Sequence, residues 1–218
     1  MSAEGALLDQ SACLIETLGS EASGAIRHLD RHLARLGRSA RALGFAFDAN
    51  KAREALQAAA KGADSPLRLR LALQRDGAME TAAVPFAPPA PDLVWRVGAA
   101  EARLASGDPL LAHKVSQRPV YDAARAEMTG RGLDEILLMN ERGEFCEGSV
   151  TSLFIEKDGA LLTPPTRCGL LPGILREILL EEGRAREAVL RRPDLDEADA
   201  VFVGNSLRGL IRAAWSDH

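Results

Sequence analysis

Three features of this chain could do chemistry. Pro172-Gly173 precedes a run suited to a helix, Ile174 to Glu182. A helix beginning there leaves the backbone N–H groups of Ile174 and Leu175 pointing at whatever anion lies off its end. That is a phosphate site in outline, although every helix has such an end and most meet water or a capping side chain. Gly204-Asn205-Ser206 follows a predicted buried strand and either adds a hydroxyl to the same anion or forms a plain turn. Glu147 is a carboxylate of the kind that more often sits on a surface. Arginine outnumbers lysine by 23 to four, the lysines being Lys51, Lys61, Lys114 and Lys157, so a reaction needing a primary amine has few candidates. H-E-x-x-H, C-x-x-C, Walker and G-x-S-x-G patterns are missing, which leaves metal, nucleotide and serine-hydrolase chemistry without a foothold. Taken singly, these features identify no function.

The composition sets wide bounds. The 218 residues are 46% hydrophobic and 27% charged with a net charge of -4, the profile of an ordinary globular protein with no overall attraction to nucleic acid. Cys13, Cys146 and Cys168 are odd in number and widely spaced, and the first residues show neither a basic nor a long apolar region, so a reducing, cytoplasmic setting is expected. No apolar stretch approaches the roughly 18 residues that cross a bilayer, so no membrane partner is expected.

The elements that must position these residues follow from periodicity. Leu29, His32, Leu33, Leu36, Ala40 and Leu43 form a helical stripe ending at Gly44, and Asp48 caps a second helix over 49–60. Leu67 to Leu73 alternates with period two and predicts a half-buried strand, turning at Asp76-Gly77 into a strand over 81–86. Four of the 11 prolines fall between Pro85 and Pro91, which places a domain boundary there. Beyond it the sequence predicts strands over 93–97, 135–140, 152–156 and 201–203, and helices over 121–129 and 174–182. A turn at Glu141 to Glu144 is expected to join two of those strands directly.

In this order the residues resemble a known family. Glu147-Gly-Ser-Val-Thr-Ser-Leu-Phe154, then Leu161-Leu-Thr163, then Leu171-Pro-Gly-Ile-Leu-Arg176 resembles the signature of the class IV aminotransferases, the fold-type IV pyridoxal-phosphate enzymes. The gaps of six and seven residues between those runs fit the pattern. Ser152 departs from it, since the family usually has asparagine there. His113-Lys114-Val-Ser-Gln-Arg118 through Arg125 resembles the Schiff-base lysine segment of aminodeoxychorismate lyases, and His32-Leu-Ala-Arg35-Leu resembles the helix carrying the family's phosphate-binding arginine. The likeness runs from about Glu16 to Arg208. Relatives usually have an extra strand and a Gly-Asp-Gly segment before the position of Glu16, so the chain is expected to be shorter there.

The resemblance implies a two-domain fold of mixed α+β and α/β character like that of D-amino acid aminotransferase. A small N-terminal α+β domain would span residues 1–89 and a larger C-terminal mixed α/β domain, binding pyridoxal phosphate, residues 90–218. It implies that Lys114 holds the cofactor covalently and that Glu147 pairs with the ring nitrogen. Arg35, the Ile174 and Leu175 amides and Ser206 would hold the phosphate. Arginine could not replace Lys114, because its pKa above roughly 12 leaves no nucleophilic free base. Arg118 and Arg208 are candidates for an anionic substrate, with surface roles as the equal alternative. The expected activity is a lyase converting 4-amino-4-deoxychorismate to 4-aminobenzoate and pyruvate for folate synthesis. The alternatives are a transaminase of branched-chain or D-amino acids, and an inactive interaction protein of the same fold. The partners expected are a small amino substrate and a second copy in a homodimer, with no nucleic acid and no metal.

Overall fold

The computed structural model describes Gly5 and residues 8–216. The chain forms two compact units, one of residues up to Pro88 together with His113–Gln117, the other of Pro89–Ala112 together with Arg118 onward.

The first unit lays two helices against a small antiparallel sheet. Its elements are β1 (Leu14–Ser20), α1 (Leu29–Leu43), α2 (Ala49–Ala60), β2 (Leu67–Leu73) and β3 (Met79–Pro85), with sheet order β1-β2-β3. The predicted stripe is the buried face of α1, including His32, Leu33, Leu36, Ala40 and Leu43. Gly44 ends that helix in the left-handed region, at φ 74°, where glycine carries no Cβ penalty. Asp48 caps α2 by accepting from the Asn50 and Lys51 amides at 2.9 and 3.2 Å. In β2, Arg68 and Arg70 face solvent while Leu69 and Leu71 are fully buried, as the alternation requires. Residues 113–117 extend the edge of β1. Ile15 donates to the Lys114 carbonyl at 2.8 Å, Ser116 donates to the Cys13 carbonyl at 2.9 Å, and Leu14 bridges Val115.

The second unit is a mixed sheet closed on itself. It contains β4 (Val94–Leu104), α3 (Pro119–Gly130), β5 (Glu135–Asn140), β6 (Phe145–Gly148), β7 (Ser152–Lys157), β8 (Ala160–Thr163), α4 (Ile174–Glu181), β9 (Ala185–Glu187), α5 (Arg192–Asp196), β10 (Ala200–Asn205) and β11 (Gly209–Trp215). The order is β10-β11-β4-β5-β6-β7-β8-β9, and β10 also pairs with β7. Every residue of β5 is buried, and its side chains alternate between two cores: Leu137 and Met139 join Phe145, Leu153 and Val203, while Ile136 and Leu138 join Tyr121, Ala124 and Cys146. The turn at 141–144 does not join β5 directly to β7. It leads into β6, which places Glu147 opposite Leu138 of β5 and Ser152 of β7. Among the described residues no helix is long and apolar enough to cross a membrane, and no group of three or more His, Cys, Asp or Glu side chains could hold a metal ion.

Candidate active site

In the first unit Arg35 is carried on α1, and the Lys114 segment is anchored to the same helix. Arg35 points inward from α1 and is 6% exposed, next to the buried Glu16 of β1. Its Nε donates to Glu16 Oε1 at 2.9 Å and its Nη2 to Oε2 at 2.6 Å, a fork matched to the carboxylate. His32 Nδ1 lies 2.7 Å from the same Oε2. Burial alone would push the Glu16 carboxyl up, but the Arg35 charge and the hydrogen bonds from His32 and Arg35 outweigh it and hold it at about 2. Arg35 is therefore fixed in place by an anion of its own chain. One helical turn further on, Ser39 lies 2.9 Å from His113 Nδ1, which anchors the residue preceding Lys114. Lys114 itself is half-buried, with its backbone held by β1.

The second unit gathers Glu147, Arg118, the start of α4 and the loop after β10. Glu147 is 5% exposed. Its Oε1 accepts the Tyr121 hydroxyl at 2.5 Å and the Leu171 amide at 3.0 Å, and Arg118 Nη2 lies 3.7 Å away. The guanidinium of Arg118 sits over the Tyr121 ring, 3.6 Å from its centroid. Arg118 thus faces the Glu147 carboxylate instead of standing on the surface.

Close packing explains the glycines around these groups. A Cβ on Gly148 would lie 2.3 Å from Thr151 Oγ1, because the turn from β6 to β7 is drawn tight around the fully buried carboxylate of Glu135. That carboxylate accepts from Ser149 N and Oγ at 2.9 and 2.7 Å, Val150 N at 3.2 Å and Thr151 Oγ1 at 2.8 Å. A Cβ on Gly173 would lie 2.5 Å from Ser152 Oγ, so residue 152 packs against the start of α4.

Helix α4 begins with no side-chain cap, and its first intrahelical acceptor, the Gly173 carbonyl, serves Glu177 at 2.9 Å. The Ile174 and Leu175 amides therefore have no acceptor within the helix. Arg176, 4% exposed, donates to the Pro164 carbonyl from Nε and Nη2 at 3.1 and 2.9 Å and pins that end down. Gly204 admits the Leu175 side chain, which a Cβ would approach to 2.9 Å, so the loop bearing Ser206 lies beside the first turn of α4. Asn205 shapes that loop, accepting from the Leu207 and Arg208 amides at 3.1 and 3.0 Å and donating to the Val150 carbonyl at 3.1 Å. Arg208 rests over the Trp95 ring, 5.8 Å from its centroid.

Each unit therefore holds part of the predicted set: Arg35 and Lys114 in the first; Glu147, Arg118, Ile174, Leu175, Ser206 and Arg208 in the second. Glu16, Tyr121 and Glu135 escaped the reading of the sequence. An arginine buried on a helix needs a counter-charge, which is the one signal that could have pointed toward Glu16. The donors suit pyridoxal phosphate. A buried carboxylate matches a ring nitrogen, an uncapped helix start flanked by glycines matches a phosphate, and Lys114 matches an aldehyde.

A two-unit chain with these groups and a closed mixed sheet has the architecture of the fold-type IV pyridoxal-phosphate enzymes, and solved structures agree. A Mesorhizobium loti protein named "Putative amino-acid aminotransferase" superposes with a TM-score of 0.91 at 49% identity, covering 94% of this chain and 100% of its own. The 4-amino-4-deoxychorismate lyase of Pseudomonas aeruginosa gives 0.80 at 28% identity, over 94% and 84% of the two chains. In sequence, the Schizosaccharomyces pombe protein "Putative aminodeoxychorismate lyase" is 27% identical over 194 residues, covering 84% of this chain and 82% of that protein. The family model "Amino-transferase class IV" matches residues 14–214. The chain belongs to the class IV aminotransferases, enzymes that depend on pyridoxal phosphate.

Proposed function

We propose that the chain is a pyridoxal-phosphate-dependent lyase that splits 4-amino-4-deoxychorismate into 4-aminobenzoate and pyruvate, serving folate synthesis. The observation that carries this reading is the similarity to proteins named as that lyase over more than four-fifths of both chains. Bound pyridoxal phosphate supplies an electron sink for charge developing at the substrate α-carbon. Lys114 would hold the cofactor, and its side-chain amine would move the proton at that carbon. Glu147 would pair with the ring nitrogen, and Arg35, Ser206 and the Ile174 and Leu175 amides would hold the phosphate. Arg35 would bind phosphate with a guanidinium already oriented by Glu16, whose fork occupies two of its three nitrogens. Arg208 contributes positive charge for the substrate carboxylates. Arg118 has a second demand on it, since it faces Glu147.

A second reading is a transaminase, favoured by the 49% identity to a protein named as an amino-acid aminotransferase. One assay separates the two. Release of pyruvate and 4-aminobenzoate with no keto-acid added supports the lyase, whereas amino transfer to 2-oxoglutarate without 4-aminobenzoate release refutes it. We also infer a cytoplasmic homodimer, and a sedimentation mass of one chain at micromolar concentration would overturn the dimer.

A further inference from the structure

Tyr121 is the only tyrosine in the chain. It stands in the first turn of α3, 2% exposed, with its ring in the core beside β5. Its hydroxyl donates to Glu147 Oε1 at 2.5 Å. Arg118 covers the ring face, and its Nη2, 3.7 Å from the same oxygen, has no hydrogen-bond partner among the described residues. The phenol, the Leu171 amide and the guanidinium thus converge on one oxygen of a carboxylate that is 5% exposed.

We propose that Tyr121 is a positioning residue for the cofactor, acting through Glu147: its hydroxyl fixes the carboxylate that would meet the pyridine nitrogen. The inference rests on the function proposed above. Arg118 supports it by clamping the phenol ring from the outer side.

Tyr121→Phe removes one oxygen and leaves the ring in the core. Affinity of the apo chain for pyridoxal phosphate should fall about tenfold in this variant, the usual worth of a hydrogen bond to a charged group. In a Glu147→Gln background the same change should matter less than about twofold, because the group through which Tyr121 acts has gone. An equal loss in both backgrounds overturns the role. A second readout needs no cofactor. Burial first, then the charge of Glu147, push the Tyr121 phenol far above its ordinary range. With one tyrosine in the chain, the intensity ratio of the tyrosine Raman doublet at neutral pH reports this hydroxyl alone, and Glu147→Gln should shift it from that of a strong donor toward that of an ordinary one. An unchanged ratio overturns the contact. A wild-type chain that shows the strong-donor ratio yet takes up no pyridoxal phosphate overturns the proposed function, and the role of Tyr121 with it.

Discussion

Removing the Glu16 carboxylate tests whether Arg35 is held by its own chain. In Glu16→Gln the Arg35 guanidinium, whose side chain is 7% exposed, keeps its charge and loses its anion. Breaking a buried pair in this way costs about 3–5 kcal/mol. An independent figure comes from titration. The carboxyl falls from its ordinary 4.5 to about 2 in the folded chain, which at about 1.36 kcal/mol per pH unit is worth about 3 kcal/mol. Because the folded value is the lower one, that stability is fully present above about pH 4.5 and is lost as pH falls toward 2. The assay is urea unfolding of the apo chain, wild type and Glu16→Gln, at neutral pH and at steps down to pH 2. At neutral pH the variant should be about 3 kcal/mol less stable, or about 6–12 °C lower in Tm for a chain of this size. The gap between the two should close across the acid range, since other carboxylates titrate alike in both. A variant within 1 kcal/mol of wild type, or a gap that stays constant with pH, refutes the reasoning.

Further outcomes follow from the same geometry. Borohydride reduction of the pyridoxal-phosphate-loaded chain should fix one adduct on Lys114, and Lys114→Ala should abolish it; a full-strength adduct in the variant excludes Lys114 as the attachment point. Gly173→Ala sets a Cβ 2.5 Å from Ser152 Oγ and should cost about 1–3 kcal/mol, relieved by adding Ser152→Ala. Unfolding curves in which the double variant is no better than the single would show that the clash lies elsewhere. Burial, followed by neighbouring charge, pushes the Cys168 thiol up to about 11 and Cys146 higher still. With Cys13 also buried, all three thiols should resist alkylation at pH 8 until denaturant is added. Mass spectrometry showing rapid native labelling of Cys146 or Cys168 would contradict this.

Elements governed by local signals were readable from sequence. The bounds of α1, α2 and β2 follow from a glycine stop, an aspartate cap and strict alternation, none of which depends on distant residues. Strand β1 was not readable, because its inward positions run Leu14, Glu16, Leu18: a carboxylate interrupts the apolar face, and Arg35 and His32 on another element make that acceptable. Strand β6 is four residues long and follows a turn closely, so its pattern is too short to separate from the turn. The candidate site divided in the same way. Lys114, Glu147 and the start of α4 are candidates from motif order alone, whereas the contact of Tyr121 joins it to a partner 26 positions away in sequence. Nothing in the period of α3 announces that contact.

The placement of residues 113–117 has a consequence for how the chain can be made and divided. This short run completes the edge of β1 and supplies partners for Cys13 and Ile15, yet it is synthesised after the whole of β4. The first unit cannot finish its sheet edge until roughly the first half of the chain has emerged, so a long loop must close before those hydrogen bonds repay it. A fragment cut within the proline-rich stretch would keep α1, α2 and the three-stranded sheet, but would leave the backbone beside Leu14 open to pairing with another chain. The same run carries Lys114, so the amine proposed to hold the cofactor is absent from any first unit prepared by cutting at the prolines.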